Sequence, residues 1–354
     1  MARTILHLLP RAPLLLTACA TTQSGLRAYH ERDYAAAVEA WTPLAEAGHP
    51  EAQFYLGTMF DGGLGVEQDK LEALEWYLLA AGAGHPKAQT NLGLLYFHGD
   101  GVERSEERAL QWFQRAADQG FAEAESNVGV HYLLGHGVDQ DPREAHAWFA
   151  RAAERGHSKA QRILGVMFDE GTGCERDTAA AARWYGEAAA AGDAEAMLRL
   201  GAMCLEGRGV DRDEARAAEL LEGAAEAGEP DAQLLVGWMY FTGRGVERDR
   251  DTASTWLAAA AVQGDLGAQA SFARACLERA RTGDARQLAE GVQWLQLAAS
   301  QGLAHAQYDL ALLHLRGKGV LQSRDQAVRW MELAAAGGHP HAPSRLRALR
   351  AGER

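Results

Sequence analysis

The chain has 354 residues, 47% hydrophobic and 23% charged, and 35 Lys and Arg set against 48 Asp and Glu give a net charge of −13. That composition excludes wholesale disorder and a polytopic membrane protein. With no dense basic run to neutralise a phosphate backbone, it also excludes nucleic acid as a partner.

In chain order, the first element is a leader. Arg3 and Arg11 bracket the first apolar residues, Ala12 to Ala18 lead into Cys19, and no acidic residue precedes Glu31. This predicts a targeting segment over residues 1–18, too short for a bilayer span of about 20 apolar residues. Leu16-Thr17-Ala18-Cys19 resembles the lipobox of bacterial lipoproteins. The resemblance implies cleavage before Cys19, lipidation of that residue, and a location on the periplasmic side of the cell envelope. The alternative is an uncleaved tail on a cytoplasmic protein. Residues 19–47 read as an N-terminal helical half-repeat that caps the rest of the chain.

From there the chain repeats. Alanines stand at Ala52, Ala88, Ala124, Ala160, Ala196, Ala232, Ala268, Ala306 and Ala342, spaced by 36 residues except for 38 between Ala268 and Ala306. A glycine lies four residues before each, and a second glycine lies five after in Gly57, Gly93, Gly129, Gly165, Gly201 and Gly237, giving way to Ala273 and Ala311. A fixed period of this length is the mark of a solenoid. It predicts eight repeats over residues 48–340 and a C-terminal cap helix or tail over 341–354.

Each unit divides into two helices. Helix A is expected to begin at the anchor alanine. Its internal glycine costs about 1 kcal/mol relative to alanine, so its recurrence implies a neighbouring helix packed too close for a side chain. A Gly-x-Gly-Val loop comes next, as in Gly63/Gly65/Val66 and Gly135/Gly137/Val138, with glycine supplying the positive φ of the turn. Asp69, Ser105, Asp141, Asp177, Asp213, Asp249 and Ser323 come three residues after the valine slot and are preferred N-caps for helix B. Glu72, Glu144 and Gln326 stand where a capping box places its second partner. Helix B carries Trp76, Trp112, Trp148, Trp184, Trp256, Trp294 and Trp330, with Leu220 in the same slot of the fifth unit. These indoles are expected in the core, so that Trp184→Ala would cost about 3–5 kcal/mol. Pro50, Pro86, Pro230 and Pro340 suit the first turn of the next helix A. The seventh unit has Arg279-Ala280-Arg281-Thr282-Gly283 in place of the loop and two extra residues before Trp294, which predicts a longer loop there.

The Ala-Gln at the head of helix A, the internal Leu-Gly, the Gly-x-Gly-Val-x-x-Asp loop and the Trp-Tyr or Trp-Phe of helix B resemble the Sel-one-like repeat family over residues 26 to 342. The resemblance implies an all-α, right-handed superhelical solenoid of tetratricopeptide-like repeats whose A helices line an inner groove that binds a protein or peptide. By that resemblance, the positions three and six residues after the anchor line the groove, and Asn91, Asn127, Arg199, Trp238, Arg274 and Asp309 become the candidate partner-binding residues. Trp238 is the one indole at the sixth position, and Arg274, one repeat on, is expected to stack on it. The competing reading packs Trp238 into the core. Some small secreted relatives with paired cysteines are linked to penicillin binding or β-lactam hydrolysis, but this sequence lacks those pairs.

No chemistry of other kinds is expected. The Gly-x-Gly loops leave a helix rather than a strand, so the nucleotide-binding context fails. Cys204 and Cys276 fall in register with aromatic positions and read as core fillers. His131, His136 and His146 share one unit without a paired ligand motif. No catalytic residue, cofactor or metal is therefore assigned. The sequence reads as a monomeric, non-catalytic interaction scaffold, whose membrane contact is limited to a lipid at Cys19. The alternative is an exported β-lactamase-like or penicillin-binding enzyme.

Overall fold

A computed structural model describes residues 22–282 and 284–351. The leader and Cys19 lie outside the described residues. Within them the chain is all-α, with no strand, and it divides into two compact units at Asp177/Thr178. The first unit holds α1 (22–30), α2 (Tyr34–Glu46), α3 (Pro50–Gly62), α4 (Lys70–Gly82), α5 (Pro86–His98), α6 (Glu106–Ala117), α7 (Ala122–Leu134), α8 (Pro142–Glu154) and α9 (Ser158–Glu170). The second holds α10 (Thr178–Ala190), α11 (Ala194–Glu206), α12 (Glu214–Glu226), α13 (Pro230–Thr242), α14 (Arg250–Val262), α15 (Leu266–Arg279), α16 (Ala285–Ser300), α17 (Ala304–Arg316), α18 (Arg324–Ala336) and α19 (Ala342–Arg350). Within each unit consecutive helices pack on one another, from α2 to α9 in the first and from α10 to α19 in the second. Helix A starts two residues ahead of the anchor alanine, at Pro50, Pro86 and Pro230 where proline is present. The exception is α19, which begins at Ala342 itself and leaves Pro340 outside the helix.

The helix-A glycine is a socket. A methyl group on Gly57 would lie 2.7 Å from the Tyr77 ring, and one on Gly201 or Gly237 would lie 2.7 Å from Leu221 or Leu257. Gly93 and Gly129 face Phe113 and Phe149 in the same way. The side chain seated there is the residue after the indole slot, and Tyr77, Phe113, Phe149, Leu221 and Leu257 are fully buried. The indoles themselves are half-buried. The expectation of a core indole at Trp184 is therefore corrected: on a 3.6-residue helix only one of two adjacent positions points into the socket, and here it is the second. Trp76 and Trp148 lie across the surface of helix B, where they donate to Glu72 and Glu144 at 3.2 and 3.0 Å.

That bond also revises the capping box. Asp69 accepts from the amides of Leu71 and Glu72 as an N-cap should. Its own amide, however, donates to the Phe60 carbonyl at 3.0 Å, as those of Asp141 and Ser323 do to Tyr132 and His314. Glu72 and Glu144, relieved of the reciprocal bond, hold the indoles instead.

Gly63 takes φ +64° to end α3. The second loop glycine is needed for close approach: a methyl on Gly65 would stand 2.5 Å from the backbone of Tyr34, in the first turn of α2. In the seventh unit the expected longer loop is absent. With no glycine at the end of α15, the chain continues right-handed through a 3-10 turn at Ala280–Thr282. Asp284 then caps α16 early, by accepting from Arg286 and Gln287. The extra residues lengthen the helices to 14 and 16 residues, against 13 in α3 and α4 and 12 in α6.

The residue before helix A is its cap. His85 and His157 accept through Nδ1 from the amides of Ala88 and Ala160, at 3.3 and 3.2 Å, where Asp193 performs the same task for Ala196. Burial holds both imidazoles below the ordinary histidine range, as it does for His131, His146 and His339. The unfolded chain therefore binds more protons than the folded one. The stabilisation is complete above the ordinary imidazole pKa and is lost as pH falls toward the depressed folded values. The melting temperature should accordingly drop between pH 7.5 and 5. His85→Asp with His157→Asp should make that drop shallower, since each cap is worth about 0.5–2 kcal/mol; thermal melts across the pH series check it.

Candidate functional site

The buried glutamine at the head of helix A is structural. Gln53, Gln89, Gln161, Gln233 and Gln307 each donate to the carbonyl of the alanine eight residues earlier, at 3.1 to 3.2 Å. This bond satisfies one of the carbonyls left over at the end of the preceding helix B. Where the glutamine is replaced by Glu125, the fully buried carboxylate is met by Arg151 and Arg155, each at 3.1 Å. With one face of helix A committed to the socket and this latch, the positions three and six residues after the anchor remain toward the surface.

The structure distributes the candidate groove residues over both units. In the first, Asn91 lines a small cleft with Asp61, Lys70, Tyr77, Leu94, Leu95 and Asp100, and Lys70 pairs with Asp61 at 2.5 Å. Its volume, about 180 Å³, is below the ~300–1,000 Å³ of ligand pockets. Asn127 is half-buried on α7.

In the second unit, Arg199 pairs with Glu195 at 2.8 Å. Trp238 is 37% exposed and meets Phe241 of its own helix edge-on, with ring centroids 5.6 Å apart. Arg274 does not stack on it as expected. Its guanidinium donates to Asp309 at 2.9 Å, because a carboxylate on the next A helix offers a charge-assisted bond stronger than a stacking contact. The structure thus brings together two of the candidates, Arg274 and Asp309.

Sequence reasoning missed a neighbouring cluster. His339 is buried and stacks on Tyr308 at 4.1 Å, with His305 edge-on at 4.7 Å. Its signal in the sequence is the histidine that directly follows the linker glycine, as His49, His85 and His157 do in their own units.

His131, His136 and His146, which share one repeat, are engaged structurally. His131 Nδ1 lies 2.7 Å from the His136 carbonyl, His136 lies 3.4 Å from Glu106, and His146 packs edge-on against Phe168. Among the described residues, no group of three or more His, Cys, Asp or Glu is placed to hold a metal ion. Cys204 and Cys276 are buried, and burial pushes the Cys276 thiol up to about 12, which removes the thiolate that nucleophilic chemistry needs. The Cys174 thiol donates to the Met167 carbonyl at 3.5 Å. No described helix is long and apolar enough to cross a membrane.

Comparison with known proteins gives one family. The Sel1 repeat matches residues 50–85, 86–121, 122–157, 158–193, 194–229, 230–265, 272–303 and 304–339. The chain is 31% identical to c5321, a protective antigen of uropathogenic Escherichia coli strains displaying an SLR fold, over 95% of this chain and 80% of that one, with a TM-score of 0.61. It is 35% identical to a Sel1 repeat protein from Oxalobacter formigenes, over 68% of this chain and 99% of that one, with a TM-score of 0.64. A search of the curated proteins finds no match. The repeats that the glycine socket and glutamine latch define are those of the Sel1 family, and the chain belongs to it.

Proposed function

We propose that the protein is a non-catalytic scaffold that holds a partner protein or peptide on the A-helix face of its second unit. The observation that carries this reading is the exposure of Trp238. An indole at 37% exposure is a large apolar surface kept in water, and Trp and Arg are the residue types enriched where interface energy concentrates. Leu235 on the same helix and Ser271 on the next helix A are half-buried, and the Arg274–Asp309 pair supplies polar groups on that face. Surface ion pairs of this kind contribute little to stability, about 0–1 kcal/mol, so the pair can be exchanged for a partner's charges.

Trp238→Ala and Arg274→Ala should each reduce capture of partner in a pull-down from the native host, while the melting temperature changes by no more than a surface substitution does. A lowered melting temperature with capture intact would return Trp238 to the core and end this reading.

The leader supports a further part of the proposal: the scaffold is exported and held at the envelope by a lipid on Cys19. Cys19→Ala should then move the protein from the membrane fraction to the soluble one, with its circular dichroism unchanged. Wild-type protein that keeps Met1 and carries no lipid by intact-mass measurement would contradict it.

A further inference from the structure

The repeats pack an indole into a hollow that the fifth leaves open. In the first unit, Trp148 lies against the core formed by α6 and α7, touching the group that includes Leu110, Val128 and Val138. In the second, Trp256 lies in the same way against Ala218, Val236 and Val246. Trp76, Trp112 and Trp330 close their own inter-repeat hollows.

The equivalents in the fourth and fifth repeats, 72 residues on from the first set, are Ala182, Leu200, Val210 and Leu220. Alanine stands where Leu110 stands, leucine stands where Trp148 stands, and Gly186 occupies the position of Leu78. The result is an open cleft of about 490 Å³ in the second unit, with Ala182, Leu200, Val210 and Gly186 in its wall. That volume falls within the ~300–1,000 Å³ of sites that bury a ligand. The cleft's rim carries Arg183, Arg216 and Glu187, all exposed. Neither guanidinium pairs with a carboxylate among the described residues.

We propose that this cleft is a docking site for an aromatic side chain with a carboxylate beside it, supplied by a partner polypeptide. Two independent features specify that occupant. The shape is that of the indole which fills the equivalent place elsewhere in the array. The charge is that of two guanidiniums without a partner, flanking an apolar floor. A planar carboxylate suits a guanidinium through paired N–H donors. An extended polyanion does not suit the site, because Glu187 stands on the same rim and the chain as a whole carries −13. The cleft lies on α10, α11 and α12, apart from the Trp238 face, and it does not depend on that face being a binding surface.

The test uses N-acetyl-5-fluorotryptophan as probe, followed by fluorine NMR on the full chain. Saturable binding is expected to the wild type, weaker by about tenfold or more in Arg183→Gln/Arg216→Gln, since the charge-assisted hydrogen bonds to the carboxylate are lost. The corresponding amide, which lacks the carboxylate, should bind as weakly to the wild type as the acid does to the double variant. Leu220→Trp should abolish binding by restoring the repeat's own indole, with the melting temperature unchanged or raised, and Trp238→Ala should leave binding intact. The proposal is overturned if the wild type shows no saturable binding, if loss of both arginines changes nothing, or if a folded Leu220→Trp variant binds the probe as the wild type does.

Discussion

The contact on which the rest of the architecture depends is the seating of one side chain of helix B over a glycine of helix A. At Gly57, Gly93, Gly201 and Gly237 a Cβ would stand only 2.4 to 2.7 Å from Tyr77, Phe113, Leu221 and Leu257, and at Gly129 3.0 Å from Phe149. The helices can approach so closely only because the socket is empty. The loss of helix propensity, about 1 kcal/mol per glycine, is offset by burial of a whole aromatic or leucine side chain, worth about 1.5–3 kcal/mol. Where alanine replaces the glycine, the knob is either leucine, as over Gly201 and Gly237, or methionine. Ala273 is paired with Leu295, and Gly291 of α16 lies against the Ala273 carbonyl; Ala311 is paired with the pliable Met331.

The other two registers of the repeat depend on this contact. Once the pair is set, the helix-A glutamine reaches the last turn of the preceding helix B, and the loop glycine lies on the backbone of that helix's first turn. The latch is chemically tolerant, because what it must satisfy is a carbonyl at a helix end. Glu125 cannot donate to it, and Arg151 takes over by reaching the Ala117 carbonyl while neutralising the carboxylate. The three contacts use up the inner surface of helix A. What remains outward is the face on which Trp238, Arg274 and Asp309 sit.

Much of this was legible in the sequence. The period, the capping residues of helix B, the glycine turns and the reason for the helix-A glycine all come from spacing and from the conformations that particular residues allow. The errors are equally instructive. Tryptophan attracted the core assignment because of its size, yet the buried position is the next one along, where residues as different as Tyr77, Leu221 and Met331 interchange. A motif kept for its indole thus hid a core position with no fixed identity. The capping box failed because a backbone carbonyl, that of Phe60, had already taken the amide; no local pattern records a partner on another helix. The loop of the seventh unit was misjudged because an insertion was assumed to extend a loop, whereas loss of its glycine let the helices grow. The stacking of Arg274 on Trp238 gave way to Asp309, which also stood among the candidate residues.

That the glycine is a socket for the residue after the indole can be measured directly. Native-state hydrogen exchange of α3 and α4 amides in a cycle of Gly57→Ala, Tyr77→Met and the double variant does so, since global unfolding of a repeat array need not be two-state. Gly57→Ala alone should lower local protection by about 1–3 kcal/mol, as overpacking does, despite its better helix propensity. In the double variant, which copies the Ala311/Met331 pair, that cost should largely vanish relative to Tyr77→Met. Strictly additive effects, or a Gly57→Ala variant more protected than the wild type, would contradict the claim.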